Sequence, residues 1–352
     1  MSSVRYPNFD TLRIVAASSV VFSHAFLIAT GSEETEPLHG TGLIAGVYGV
    51  FVFFILSGFL VTESAKRSAG LADYFRKRFL RIAPALVVST LLITYVICPP
   101  FALDGATAFV LDPKVMSVAM QAIFLHSDGL YFSNVAFYPP PGEADYLPGI
   151  ANGVLWTIRL EVIGYALIAL LMAMSLFKGS RQIIATLIAF GLIGFSVAYG
   201  KVVSIEWMAA LLFVLPSFCC GIIMNWLVQF HKPRGWLAAL FALGFIPAVH
   251  FQILPETFCY IAAYPLIWIG AADFKAFGWF NTRSDISYGV YLYGWPVTQV
   301  IRAVVGDGLS GYEMAALALP VTALIAYLSW HLVEKPALRL KTATPKPAYR
   351  AA

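Results

Sequence analysis

Long apolar runs separated by short polar stretches fill the chain. Ten are legible, at about 9–30, 43–65, 82–103, 152–177, 182–200, 205–229, 235–253, 256–272, 285–305 and 313–334. Each is near the ~20 residues a helix needs to cross the hydrocarbon core of a bilayer. The pattern predicts an all-α fold: a polytopic transmembrane helix bundle of about ten spans. The first run could be mistaken for a secretory leader, because Ala29-Thr30-Gly31 is a passable cleavage site. Asp10, Arg13 and His24 argue against that, since the apolar stretch of a leader does not carry such groups. It is expected to be a retained span. No internal repeat, low-complexity tract or soluble domain is visible. One membrane domain over 1–340 is expected, followed by a basic tail over 341–352.

Composition narrows the class. The 352 residues are 59% hydrophobic and only 12% charged, with mean hydropathy +0.77. Soluble domains carry about 25% charged residues, and disorder requires the opposite balance. The net charge of +4 is small and the basic residues form no single patch, which argues against nucleic acid as a partner. Those residues follow topology instead. Lys66, Arg67, Arg76, Lys77, Arg78 and Arg81 share one inter-span loop. Lys178, Arg181, Lys232, Arg234, Lys275 and Arg283 fall in loops of the same side, and Lys335, Arg339, Lys341, Lys346 and Arg350 lie at the C-terminal end. Only Lys114, Arg159, Lys201 and Arg302, four of 23, fall on the other side. By the positive-inside rule both termini are expected in the cytoplasm.

The outer side has one large feature, 104–151. It carries Asp104, Asp112, Asp128, Glu143 and Asp145 among Tyr131, Tyr138, Tyr146 and the turn Pro139-Pro140-Pro141. A short interfacial helix is predicted over 114–126. Long loops of this kind tend to be functional. Aromatic rings with acidic groups suit a sugar surface; a packed cap over the bundle is the equal alternative. The four cysteines show no metal spacing. Four buried, inert thiols are expected in preference to a Cys98–Cys259 disulfide.

Ionisable groups inside spans are costly and therefore informative. Arg13 and His24 are 11 residues apart, three helical turns plus roughly 20°, and Asp10 falls within about 40° of the same line. The three form one stripe, with His24 about 16 Å beyond Arg13. Asp10–Arg13 also fits a simple ion pair at the helix start, and a lone His is ordinarily a hydrogen-bonded core residue. Arg78 and Arg81 share a face if helix has begun there. They suit phosphate through the guanidinium fork, or they are plain topology signal. Glu161 enters the apolar run Val162–Phe177, where a carboxylate needs a partner or a proton. Arg159 is two residues away and points elsewhere, so the partner is either a His from another span or a structural cation. Tyr288, Tyr291 and Trp295-Pro296 either line a channel or form an aromatic belt. His39, His126, His231, His250 and His331 fall at loops or span ends and are assigned no chemistry.

These residues, from Phe9 to about Pro336, resemble the integral membrane acyltransferase family 3, bacterial enzymes that acylate surface sugars. The resemblance rests on ordered motifs. Phe9-Asp10 and Leu12-Arg13 with His24 look like the first-span signature of an Arg, ten residues and a His. The run Gly49 to Leu60, which includes Ser57, resembles the second-span motif. Arg78, Arg81 and Pro84 resemble the Arg pair. Asn152-Gly153, Trp156-Thr157 and Glu161 resemble the fourth-span motif, and Ser287-Tyr288-Gly289 with Tyr291 the ninth. One departure stands out: many relatives have His where this chain has Gly294, so no role for that His carries over.

The resemblance implies transfer of an acyl group, acetyl above all, from cytoplasmic acyl-CoA to a hydroxyl of a cell-surface saccharide such as an O-antigen or exopolysaccharide, in the bacterial inner membrane. Acyl-CoA is then a co-substrate, with no permanently bound cofactor and no metal. His24 is expected as base or acyl acceptor with Glu161 as its orienting partner. Arg13, Arg78 and Arg81 are expected to bind acyl-CoA, and Asp10, Ser57, Asn152, Trp156, Tyr288 and Tyr291 to position structure or substrate. The rival class is a proton-coupled transporter of a small anion or sugar, which would also use in-span His, Glu and Arg but usually shows two related halves. A further alternative is a non-catalytic partner in polysaccharide assembly.

Overall fold

The structure, a computed structural model, describes residues 6–139, 147–272 and 285–342. The chain folds as an all-α bundle. Helices α1 (Phe9–Thr30), α2 (Ala45–Lys66) and α3 (Leu71–Leu92) come first. Helices α4 (Ala106–Leu111) and α5 (Pro113–Ile123) lie in the long loop, and α6 (Trp156–Ala173), α7 (Gln182–Tyr199) and α8 (Glu206–Leu227) follow. Then come α9 (Gly235–Leu243), α10 (Phe245–His250), α11 (Leu254–Ala271), α12 (Ser287–Val305), α13 (Gly311–Ser329) and α14 (Lys335–Arg339).

Among the described residues, seven rods are long and apolar enough to cross a membrane: α1, α2, α3 extended through a π-helical turn to Ile97, Gly179–Tyr199, α6, α8, and α13 run on into α14. The other three predicted runs differ for physical reasons. The run 235–253 breaks at Gly244 into α9 and α10. Helix α11 opens with Pro255 and Glu256. Helix α12 carries Gln299, Arg302 and three tyrosines, but 13 of its 19 residues are buried. It faces protein on most sides, so its polar groups need not meet lipid.

Helix α3 begins at Leu71, about three turns before the predicted start. The cationic segment is therefore helical, helped by good helix formers and by the Asp73–Lys77 pair at i, i+4 (2.6 Å). The described residues of the loop 104–151 form a packed cap. Phe109, Val115, Leu130, Phe132 and Phe137 are all buried, and the predicted short helix is α5. The cap also holds an unpredicted antiparallel ladder, β1 (Leu130–Tyr131) against β2 (Ile150–Asn152). Glu143, Asp145, Tyr146 and most of the proline turn lie outside the described residues. So do Arg5, Lys275, Arg283 and the predicted tail beyond 342.

Helix α1 packs between α2, α12 and α13. Helices α2 and α8 cross at two glycines. A Cβ on Gly58 would sit 2.0 Å from the Phe218 carbonyl oxygen, and one on Gly221 would sit 2.2 Å from that of Ile55. Small residues at crossings are how apolar helices gain contact where lipid removes the hydrophobic drive. Cys98, Cys219, Cys220 and Cys259 are all buried and unbridged.

Candidate active site

The stripe on α1 is built upward from Arg13. Its guanidinium pairs with Asp285 (3.1 Å), just before α12, and no ion pair joins it to Asp10 among the described residues. Arg81 on α3 reaches the same carboxylate (2.5 Å) and also Glu334 (3.6 Å), a buried acid in the π-helical turn between α13 and α14. Ser287 donates to the other oxygen of Asp285. Three elements are thus tied through one carboxylate. Asp285 was not singled out in the sequence, where its only signal is its place two residues before the Ser287-Tyr288-Gly289 motif.

Arg78, one turn before Arg81, is different. Its guanidinium lies over the ring of Tyr165 at 5.5 Å and donates to Ser64 Oγ (3.2 Å). Among the described residues no carboxylate lies within 4 Å, and its Nε is buried without a partner. Tyr165 in turn donates through its hydroxyl to Glu161, as does Ser57 (3.2 Å).

These groups line one cavity of about 350 Å³. Its wall carries Arg13, Arg67, Arg78, Arg81 and Lys341 against two carboxylates, Glu161 and Asp285. Lys341 lies past the last span, and its amine is pushed down to about 8, first by burial and then by Arg78, Arg81, Lys77 and Arg13. Arg13, Arg81 and Arg67 pair with Asp285, Glu334 and Glu63, but the excess of cations over carboxylates on this wall favours an anion. Lys341 reads in the sequence as topology signal alone, and nothing local distinguishes it.

Thr157 and Tyr291 also line the cavity. The Tyr291 hydroxyl contacts Thr157 Oγ1 and donates to the Val154 carbonyl (3.0 Å). Tyr288, one turn nearer Arg13, lies under Arg81 at 5.8 Å and donates to the Ile82 carbonyl. One turn the other way is Trp295, whose ring meets His24 edge to face at 4.7 Å. His24 Nδ1 is buried and has no hydrogen-bond partner. The partners of Glu161 are Ser57 and Tyr165, and no hydrogen bond or ion pair joins it to His24 among the described residues. Arg159 pairs with Asp128, not with Glu161.

Pro296 removes the N–H that would bond the Leu292 carbonyl one turn back. Asn152 fills the gap, donating from Nδ2 to that oxygen (3.0 Å) and accepting from the Val154 N–H. Asn152 lies in β2 and not on the fourth helix, so its part is to lock the cap onto α12. Trp156 opens α6 on the cap side. The departure at Gly294 also has a steric reading, since a Cβ there would meet Val21 Cγ2 at 2.3 Å. Glycine lets α12 lie close against α1 beside His24. A buried carboxylate missed in the sequence, Glu36, accepts from Ser23 Oγ and from the N–H groups of Leu38 and Ala45, closing the α1–α2 loop next to His24. Among the described residues no group of three His, Cys, Asp or Glu side chains is placed to hold a metal ion.

The family model described as Acyltransferase domain, acyltransferase family 3, matches residues 6–332. The chain is 30% identical to the O-acetyl transferase of Shigella phage Sf6, over 93% of this chain and 94% of that protein. It is 29% identical to Nodulation protein 10 of Rhizobium leguminosarum bv. viciae, over 97% and 95%. It is 22% identical to the Peptidoglycan O-acetyltransferase OatA of Listeria monocytogenes, over 94% of this chain but 55% of that longer protein. No solved structure matches. The chain therefore belongs to acyltransferase family 3 and is a multi-pass membrane acyltransferase of the O-acetyl-transferring kind.

Proposed function

We propose that this acyltransferase moves an acetyl group from cytoplasmic acetyl-CoA, bound in the cationic cavity, to a saccharide hydroxyl presented from the opposite side of a bacterial inner membrane. In this reading both termini are cytoplasmic, and α9–α10, α11 and α12 supply the three remaining crossings. The observation that carries it is the cavity: five cations against two carboxylates on its wall, which also holds Tyr291, one turn of α12 from Trp295 and His24.

The donor's phosphates pair with Arg78 and Lys341, the cations without a tight carboxylate partner. Arg13 and Arg81, shared with Asp285, frame the site more than they neutralise the ligand. The pantetheine arm runs along Tyr288 and Tyr291 toward His24. As the general base, His24 takes the proton of the acceptor hydroxyl while its oxygen attacks the thioester carbonyl. The C–S bond breaks, the ester C–O bond forms, and the CoA thiolate leaves with the proton restored from the imidazolium. Glu161 acts at a distance: it holds Tyr165, and Tyr165 carries Arg78. The acceptor is a surface glycan. The phage O-acetyl transferase supports the acetyl group, and the peptidoglycan enzyme supports a glycan acceptor.

The test is mass spectrometry of surface glycans from cells with and without the gene. Loss of O-acetyl groups in the deletion, restored by the wild-type gene and not by His24→Ala, is the expected result. Unchanged acetylation in the deletion contradicts the assignment.

A further inference from the structure

A second cavity, of about 510 Å³, lies at the other end of the bundle, between the cap ladder and the first turns of α6 and α8. It shares no lining residue with the cationic cavity. Three aromatic side chains from three elements gather there: Tyr131 from β1, Trp156 from α6 and Trp207 from α8. Tyr131 and Trp207 are 52% and 41% exposed. Polar groups stand among them. Arg159 pairs with Asp128 at 2.5 Å, its Nε is buried without a partner, and Glu206 completes the rim.

This is the chemistry a saccharide needs. The C–H face of a pyranose packs on the electron-rich face of an aromatic ring. A carboxylate and a guanidinium offer acceptors and a fork of donors to adjacent hydroxyls. A few placed polar groups in an aromatic-lined hollow is also the general form of a small-molecule site. An aromatic belt would place such rings around the rim of the bundle facing lipid, whereas these three converge on one hollow.

The second observation is what lies behind the wall. Gly153 lines this cavity, and a Cβ added to it would stand 3.1 Å from the Trp295 ring. That ring is edge to face with His24. One glycine and one indole therefore separate the hollow from the histidine. The partition is held in register, because Trp295 Nε1 donates to the Ile150 carbonyl (2.8 Å) and Gln299 reaches the same oxygen. Ile150 itself lines the cavity.

We propose that this cavity is the acceptor subsite. A sugar ring would stack on Trp207 and Tyr131, with hydroxyls on Asp128 and Arg159, and would be delivered to His24 past Gly153 and Trp295. The inference rests on the acetyl-transfer reading above and adds where the acceptor binds.

The test separates the two. Membrane vesicles carrying the cell's own surface glycan receive [14C]acetyl-CoA, and the initial rate of label entering the glycan is measured for wild type, Trp207→Ala, Trp207→Phe and Tyr131→Ala. Binding of acetyl-CoA to each purified protein is measured in parallel. The subsite predicts a rate lowered about tenfold by either alanine, the scale of one lost aromatic contact with its buried area. It also predicts substantial recovery in Trp207→Phe and a donor Kd within twofold of wild type in all. Wild-type rates in both alanine variants overturn the subsite and leave acetyl transfer standing. Rates and donor binding lost together mean damage to the fold rather than a subsite, and also count against it. Wild-type vesicles that label no glycan overturn the transfer reading itself.

Discussion

The imidazole of His24 and the indole of Trp295 meet edge to face with their centroids 4.7 Å apart, joining α1 to α12 between the two cavities. Neither ring lines the cationic cavity. If acetyl-CoA is held below and the chemistry occurs at His24, the two functions separate by mutation. His24→Ala is expected to lower kcat by about 10²–10⁴, the usual worth of a positioned base, while the Kd for acetyl-CoA stays within twofold. Rapid-mix turnover and equilibrium binding on the same purified protein check this. Near-normal turnover by a well-folded variant removes His24 from the mechanism.

Arg78 and Arg81 look alike in the sequence and differ in the structure. Arg81 neutralises Asp285 and Glu334, both shielded from solvent. Removing one partner of a buried ion pair costs about 3–5 kcal/mol, so Arg81→Ala is expected to lower the melting temperature in detergent sharply. Arg78 has no carboxylate to abandon. Arg78→Ala is expected to keep its stability and weaken acetyl-CoA about 10- to 100-fold, the range for one charge-assisted hydrogen bond. Equal loss of stability in both would make Arg78 structural as well.

Lys341 would give the proposed donor site a pH dependence. Burial and the neighbouring cations push its amine down to about 8, so it is charged below that pH and neutral above. Affinity for acetyl-CoA at low salt is expected to fall as pH rises through about 8. A bound anion favours the charged amine and shifts the midpoint upward. Lys341→Arg should flatten the profile, because guanidinium stays charged. A slope that persists in Lys341→Arg assigns the titration elsewhere.

Glu161 is linked to Arg78 by a chain of contacts: Ser57 and Tyr165 donate to it, and Tyr165 carries Arg78. Glu161→Ala is expected to raise the KM for acetyl-CoA about tenfold through loss of those bonds, and Glu161→Gln, which still accepts them, by less. A fall in kcat alone, equal in both variants, would instead place Glu161 in the service of His24.

The helical rods were legible because an apolar run of about 20 residues has few other fates. The Arg13–His24 stripe was legible because helical spacing fixes a face. Other features were not, and each has a long-range cause. Asp285 matters through Arg13 and Arg81, which are 272 and 204 positions away. The run 285–305 reads as one more apolar span, and that 13 of the 19 residues of α12 are buried, its polar groups among them, emerges only once its neighbours are in place. Asn152 reads as the start of a helix, but its side chain answers a carbonyl freed by Pro296 on another element. Glu161 was expected as the partner of His24 by analogy with a triad, and only the packing of α6 against α2 brings Ser57 to it, beside Tyr165 on its own helix.

Sidedness is the proposal's most exposed consequence. If acetyl-CoA binds at the Arg13 end and the glycan at the cap end, the charged CoA phosphates stay on their side of the bilayer and the acetyl group has to travel between the two ends through the protein. Sealed vesicles of known orientation test this. Acetyl-CoA is supplied only at the face carrying Arg78 and Lys341, and the glycan is held only at the face carrying Trp207. Labelled glycan, abolished by His24→Ala, is the expected result. Labelling that requires both substrates at the Arg78 face would contradict it.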